Sequence, residues 1–577
     1  MGLLDNTQTA RVLSDIADLL ELKGENPFKI RAYRNGADVV GHAAESVSAL
    51  DESSLRQWEG IGKDLASRIR EIATTGDCSV RRELLKEYPA SLLEVLRLQG
   101  VGPKTVALLY RELHITSLDD LAQAAHAGRI RSLKGMGAKK EQLIVRAMEE
   151  QQRHAGRHLL ADTALVADGL MAWLRERSPA VEFVPVGSLR RGAETCGDLD
   201  ILAIGGDVSL MAVFTEHPHV ERILGQGDTK SSVLLRGGYQ TDLRLVTPEQ
   251  KGAALQYFTG SKAHNIVLRD RALERGWRLN EYGLFDPQDR RIAGEDEAGI
   301  YGQLGLAWVP PELREHRGEI AAAQSNELPD LIEASDLRGD LHMHTTESDG
   351  RDTLDTMIAA AQGRGLEYIA VTDHTKSLAM TNGLDETRAF ATAEAIRARS
   401  AQLKGFTVLA GIECDIMPDG TLDLADDCLG ALDLVVASVH SALQQDAAEM
   451  TARLIRAIEH PAVDILGHAT GRFLLRRDAS RVHIDKVIDA AAANHVAMEI
   501  NSQPHRLDLS DSHARLARDR GVKLVINSDA HDAASLAFTR WGVLTAKRAW
   551  LAKADVLNTL PIAAFLKALR RNRTKPI

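Results

Sequence analysis

The sequence predicts a multidomain chain in three stretches: an all-α N-terminal region, a mixed α+β middle and a C-terminal parallel α/β barrel of the (βα)7 type. Three observations carry this expectation. At 577 residues the chain exceeds what a single hydrophobic core sustains. Apolar residues recur at helical spacing through residues 1–150, with few β-branched runs. From residue 339 onward, short β runs alternate with helical stretches over about 240 residues, which suits βα units but falls short of eight full repeats.

Composition bounds the function classes. A hydrophobic fraction of 44% and a charged fraction of 26% are ordinary for a globular protein. Cys78, Cys196, Cys414 and Cys428 are widely spaced with no C-x-x-C pair, which argues for a reducing environment and against a disulfide scaffold or zinc ribbon. The first residues lack a basic start followed by an apolar run. No stretch reaches the ~18 apolar residues of a membrane helix, so the expectation is a cytoplasmic protein with no membrane partner; it is also expected to be monomeric. The net charge of -11 is uneven: 22 Lys+Arg face 22 Asp+Glu in residues 1–155, 19 face 23 in 156–318, and 29 face 36 in 319–577. Any contact with nucleic acid must therefore come from local patches and backbone amides, because no global field attracts phosphate.

In the helical region, "TARVLSDIADLLELKG" and "SLLEVLRLQG" have the apolar spacing of amphipathic helices. One pattern occurs three times: "WEGIGKDLASRI" (58–69), "LQGVGPKTVALL" (98–109) and "LKGMGAKKEQLI" (133–144). Each places Gly-apolar-Gly before an amphipathic helix, so a tight turn aims the free N–H groups of that helix outward at an anion. A single copy is as often a plain helix connection. Three copies in one frame resemble helix-hairpin-helix elements, which hold DNA phosphates without reading sequence. Gly60, Gly62, Gly100, Gly102, Lys104, Gly135 and Gly137 are the candidate contacts.

The middle stretch predicts strands at "EFVPVGSL", "DLDILAIG", "SSVLLRG" and "YQTDLRLV". Asp198 and Asp200 alternate along one of them and share a face. Asp242 lies in another apolar strand. Two such anions repel unless a cation sits between them, and three carboxylates suit two hard divalent ions about 3.5–4 Å apart. Just upstream, "GSLRRG" offers amides, the Ser188 hydroxyl and the fixed charge of Arg191 for phosphate. A lone D-x-D is weak evidence; Gly-Ser, then Arg-Arg-Gly, then Gly-Asp-x-Asp is far more specific.

The last stretch places His342 and His344 on one strand face, with Asp349 in the following loop. His374, Glu413, His440, His468, Asp529 and His531 then follow at the ends of apolar strands. The C-terminal ends of parallel barrel strands converge on one rim, so these distant residues can meet there. The His/Asp/Glu mixture suits zinc, manganese or iron. His460, His483, His495, His505 and His513 read as structural.

"VGSLRRGAETCGDLDIL" with "QTDLRL" resembles the nucleotidyltransferase palm of family X DNA polymerases, the group that contains DNA polymerase beta. The likeness continues in "ALQYFTGSKAHNIVLRDRALERGWRLNEYGLF" (254–285), which is similar to that family's thumb. The histidine set resembles the PHP (polymerase and histidinol phosphatase) domain, and all nine of its ligand positions are filled. The chain therefore resembles a bacterial family X polymerase fused to a C-terminal PHP domain, from about residue 5 to about 570.

The resemblance implies Asp198, Asp200 and Asp242 as catalytic ligands of Mg2+ or Mn2+, and up to three zinc, manganese or iron ions in the PHP domain. Gly187, Ser188, Arg191 and Gly197 would hold the incoming dNTP's phosphates, and Tyr257, Phe258 and Gly260 its sugar. Asn265 would meet the base edge and Arg269 the template strand. Lys29 and Tyr33 in "NPFKIRAYRNGADVV" match the helix that grips the 5′-phosphate of a gap. The implied organisation is a DNA-end-binding domain (1–85), a helix-hairpin-helix fingers region (86–155), palm (156–246), thumb (247–318), linker (319–338) and PHP phosphoesterase (339–577). The implied activities are gap filling in base-excision repair, 3′–5′ exonuclease and processing of abasic or blocked 3′ ends. The rivals are a non-DNA nucleotidyltransferase fused to a small-molecule phosphatase, and a DNA-binding scaffold with inactive sites.

Two positions depart from the family pattern. Cys196 stands where relatives often carry serine, and Arg68 stands where lyase-active members carry a Schiff-base lysine. A guanidinium stays protonated and makes no amine nucleophile. Borohydride reduction on a 5′-deoxyribose-phosphate substrate is accordingly expected to trap little enzyme–DNA adduct. Abundant adduct that disappears in Arg68→Ala would contradict this.

Overall fold

The computed structural model describes residues 6–573 apart from 44–46, 59, 97, 99–100, 134–135, 138–139, 143, 146–147, 149–155, 379–380 and 476. It forms two compact units, Met1–Arg157 and His158–Ile577. Among the described residues, no helix is long and apolar enough to cross a membrane.

The first unit is helical as expected. Helices Asn6–Lys23, Pro27–His42, Lys63–Thr75, Ser79–Glu87, Pro103–Leu113 and Leu118–His126 turn apolar faces onto a core that includes Leu13, Ile16, Ala66, Ile69, Val106 and Leu109. Gly60 adopts φ +83°, which admits glycine at little cost, and Gly62 caps the helix that follows. Gly102 caps Pro103–Leu113 in the same way, and neither cap supplies a side-chain acceptor; in the second helix Pro103 has no N–H and the Thr105 amide bonds the Gly102 carbonyl at 2.8 Å. A side chain at Gly60, Gly62, Gly102 or Gly137 would meet nothing within 4 Å, so these turns face open space. Lys104 is exposed beside them, while Gly100 and Gly135 lie outside the described residues. Lys29 is exposed and pairs with Glu25 at 3.2 Å. Tyr33 is only 8% exposed and packs in the core near Arg68. Arg68 itself donates to Glu71 (2.9 Å) and to the Ser79 hydroxyl (2.7 Å).

The second unit begins with the helix Leu160–Arg177 and then builds a five-stranded sheet: β1 (Glu182–Pro185), β2 (Leu199–Ile204), β3 (Val220–Gln226), β4 (Lys230–Leu235) and β5 (Tyr239–Val246), in the order β1-β2-β5-β4-β3. Only β2 and β5 run parallel. The strand expected over "EFVPVGSL" is corrected here. It stops at Pro185, and Gly187–Arg190 forms one helical turn entered through Gly187 at φ +64°. Helices Lys251–Thr259 and Lys262–Leu273 then lead to a small antiparallel sheet of Arg278–Asn280, Gly283–Phe285 and Arg291–Ala293.

Residues 319–338 are packed: they include the helix Glu319–Ser325, and the Ile332 amide bonds the Leu551 carbonyl at 2.9 Å. The barrel follows as seven parallel strands in sequential order: β6 (Gly339–Asp340), β7 (Tyr368–Val371), β8 (Thr407–Asp415), β9 (Leu434–Ser438), β10 (Ile465–Leu466), β11 (Ala497–Asn501) and β12 (Leu524–Asn527). A bridge between Met343 and Ala530 brings the first strand segment back to the last, leaving the barrel nearly closed. Strands such as β9 and β12 are buried on both faces, which explains their unbroken apolar runs. Leu341, Ala370, Leu434, Val436, Ile465, Ala497 and Val525 fill the interior, and Phe565 stacks on Tyr368 at 5.3 Å.

One buried ion cluster ties the Gly187–Arg190 turn to residues 297 and 314. Glu297 accepts from Arg190 (2.7 Å) and Arg314 (2.6 Å), with Arg314 fully buried. Burial alone would raise the Glu297 carboxyl, but the two guanidinium groups hold it at about 2. Because the folded value lies below the ordinary 4.5, its stabilisation is complete above that pH and is lost as pH falls toward 2. Glu297→Gln leaves two cations without their carboxylate and is expected to cost about 3–5 kcal/mol near neutral pH. In denaturant titrations, the difference from the parent should shrink as pH falls from about 4.5 toward 2.

Candidate active sites

The parallel pairing of β2 with β5 sets Asp200 directly beside Asp242. Asp198 sits exposed one residue before β2. Burial pushes the Asp200 carboxyl up to about 6, with Asp198 and Asp242 adding repulsion. One Asp242 oxygen, Oδ1, is buried without a hydrogen-bond partner; the other takes Lys230 Nζ at 2.6 Å. A flexible ammonium thus touches a cluster whose carboxylates lack enough positive charge, and all-oxygen donors of this kind fit a hard divalent ion.

The Gly-Ser turn lies directly over these carboxylates. A side chain at Gly187 would come within 3.1 Å of Asp200 Oδ2, and the Val186 amide bonds the Asp200 carbonyl at 2.9 Å. Glycine is therefore required by closeness as well as by φ. Ser188 and Gly197 are partly buried beside it. Arg191 donates to Glu315 Oε1 at 2.9 Å and to the Thr259 carbonyl at 2.5 Å. Tyr257 and Phe258 meet edge-to-face at 5.0 Å, and Arg244 lies 4.4 Å over the Phe258 ring. Asn265 is anchored by its amide to the Tyr257 carbonyl and by its oxygen to Gln256, both at 2.7 Å. Gly260 follows at φ +69°, and Arg269 is exposed one helical turn beyond Asn265.

In the barrel, eight of the nine expected ligands fall into three overlapping groups: His344, Asp349, His374 and His531; His342, His344 and Asp529; His374, Glu413 and His440. The ninth, His468, places Nε2 2.9 Å from Glu413 Oε1. Glu413 is the hub, with His342 at 3.3 Å, His374 at 3.0 Å and His440 at 3.3 Å. Burial opposes its charge, but His342, His440 and His374 hold the carboxyl well below its usual range. His342 Nε2, His344 Nδ1, His374 Nδ1 and Glu413 Oε2 are buried without hydrogen-bond partners although they converge. Lone pairs that crowd together without bonding one another fit a metal cluster, and the nitrogen–oxygen set fits zinc, manganese or iron.

Sequence reasoning missed the residues that orient these ligands. Glu499 holds His342 Nδ1 at 2.7 Å, and Asp415 holds His440 Nδ1 at 3.1 Å. Each leaves Nε2 of its histidine aimed inward, the usual carboxylate–histidine–metal arrangement. Their signal was partly legible: Glu499 is a lone charge inside an apolar strand, and Asp415 ends the strand that carries Glu413. On the rim, Phe473 lies between Arg477 (4.5 Å) and Arg506 (4.4 Å) and stacks on His505 (4.8 Å), so His505 belongs to this wall. Arg506 reaches to 3.9 Å from Asp529.

The class is defined at this point: a polymerase-beta-type nucleotidyltransferase core built in one piece with a PHP-type metal barrel. Family models agree. The helix-hairpin-helix domain matches residues 4–78, the SAM-like helix-hairpin-helix tandem 92–150, the DNA polymerase beta thumb 254–315 and the PHP domain 340–503. The chain is 38% identical over 566 residues to the "DNA polymerase/3′-5′ exonuclease PolX" of Bacillus subtilis (strain 168), covering 97% of this chain and 99% of that one. Shorter proteins named probable phosphatase match the barrel region. That of Shewanella sediminis (strain HAW-EB3) is 32% identical over 39% of this chain and 90% of its own length. That of Thermoanaerobacter sp. (strain X514) is 29% identical over 40% and 95%. This chain belongs to the PolX family.

Removing an orienting carboxylate typically weakens a metal site by about 10–100-fold. Glu499→Gln is therefore expected to lower manganese affinity at the barrel by that factor in a competition titration, and Glu413→Gln to empty it of metal by elemental analysis.

Proposed function

We propose that the chain is a DNA-directed DNA polymerase that fills short gaps during base-excision repair, with a barrel that trims 3′ ends in the 3′–5′ direction. The observation that carries the polymerase half is the register of Asp200 and Asp242 beneath the Gly187–Ser188 turn. Amides of that turn, the Ser188 hydroxyl and Arg191 orient the triphosphate. Tyr257, Phe258 and Gly260 enclose the sugar, Asn265 meets the base edge, and Arg269 meets the template. Open helix N-termini at Gly62 and Gly102, with Lys104, bind backbone phosphates of the DNA. When bound, Mg2+ or Mn2+ in the palm and zinc, manganese or iron in the barrel neutralise the charge that develops on the attacking and leaving oxygens.

For the barrel, a small-molecule phosphatase is the competing reading, because the shorter relatives carry that name. The Phe473–Arg477–Arg506–His505 wall favours a nucleic-acid strand. The two guanidinium groups gathered at Phe473 suit the successive phosphates of a strand better than a single monoester.

Primer extension on one-nucleotide gapped DNA tests the first half, and Asp200→Ala is expected to abolish it. His344→Ala is expected to abolish 3′ digestion while extension continues. Digestion that survives His344→Ala assigns the nuclease elsewhere, and monoester hydrolysis without DNA digestion assigns the barrel to a phosphatase.

A further inference from the structure

The Gly187–Cys196 segment is seated on a helix of the barrel, Thr539–Arg548. Arg548 Nη1 donates to the Arg191 carbonyl (3.0 Å) and to Glu315 Oε1 (2.8 Å), and its Nε donates to Asp511 Oδ2 (3.0 Å). The same Glu315 oxygen accepts from Arg191 Nε. Arg317 meets Asp511 at 3.1 Å, and Arg472 meets Glu194 of the palm segment at 2.7 Å. Leu544, on the same helix as Arg548, packs where a side chain at Gly192 would come within 3.2 Å. Arg548, Glu315 and Arg191 are 10%, 8% and 15% exposed, so water screens their charges little.

Charge decides what this arrangement does. Glu315 facing Arg191 alone would cancel the cation that the incoming triphosphate needs. Arg548 shares that carboxylate, so Arg191 keeps net positive charge for phosphate. Arg548 also fixes the Arg191 backbone, so ordering is completed before the nucleotide arrives rather than during binding. We propose that Arg548, a residue of the barrel, is a positioning residue for nucleotidyl transfer in the palm. This rests on the polymerase reading above.

The test is steady-state gap filling by the full chain, with dNTP concentration varied and 3′ digestion and thermal unfolding measured in parallel. Arg548→Ala is expected to raise the dNTP KM about tenfold, the worth of one hydrogen bond to a charged group, with kcat within about threefold. Arg548→Lys keeps the charge but loses the planar fork that reaches Asp511 and Glu315 together, and its KM should fall between the two. In both variants 3′ digestion should remain near the parental rate. An unchanged KM in Arg548→Lys and Arg548→Ala overturns the proposal. So does equal loss of gap filling and digestion in both, which reduces Arg548 to fold support. If the parental chain itself extends no primer, the polymerase reading fails instead.

Discussion

Parallel strand pairing forces like charges together in this molecule. Asp200 and Asp242 are neighbours because the backbones of β2 and β5 run the same way in one register, and no side-chain rotation can separate them by much. The barrel repeats the constraint: its strands deliver Glu413, Asp529 and their histidines to one rim because all seven strands run in parallel. In both places folding creates an electrostatic cost that only cations remove. In the palm the cost shows as an Asp200 carboxyl raised toward neutrality. In the barrel, imidazoles supply part of the compensation, and Glu413 is held ionised at the centre.

Elsewhere in the chain, two buried carboxylates are each neutralised by a pair of arginines. Glu297 has two guanidinium partners, as does Glu315. These clusters contain only fixed, permanently charged arginines and join palm, thumb and barrel within one compact unit. The contrast separates two uses of acidic residues. Where these carboxylates meet arginine they set geometry; where Asp200 meets Asp242, or Glu413 meets several imidazoles, the donor set fits a cation. Arg191 stands between the two, since its Nε donates to Glu315 while its backbone directly follows the Gly187–Arg190 turn over Asp200.

Much of this could be read in the sequence because charged residues inside apolar strands are conspicuous. Asp200, Asp242 and all the barrel ligands except the loop residue Asp349 interrupt or terminate runs such as "DLDIL" and "LDLVVASVH". Glu499 and Asp415 obey the same rule and were missed because neither belongs to a ligand pattern; their partners became visible only across the barrel. Strand β3 gave little signal, since most of Val220–Gln226 is exposed and carries no alternation. The helical turn at Gly187–Arg190 was hidden by the β-rich residues just before it, and only the close approach to Asp200 explains it. The contact between Arg548 and Glu315 spans 233 residues, and no local pattern encodes a pairing that distant.

An acidic chain that handles a polyanion must attract it over short distances. With a formal net charge of -11, long-range attraction is absent, and the helical unit itself is balanced. On the proposed function, what remains acts within a few ångströms: the helix starts behind Gly62 and Gly102, arginines held in place by buried carboxylates, and strand-end clusters whose donors fit metal. Such contacts act only when a phosphate is already correctly placed, so they select geometry more than they raise affinity. Rigidity is then a requirement, because an arginine that must be ordered during binding loses part of its advantage to entropy. The dense ion clusters between palm and barrel are the structural answer to that requirement.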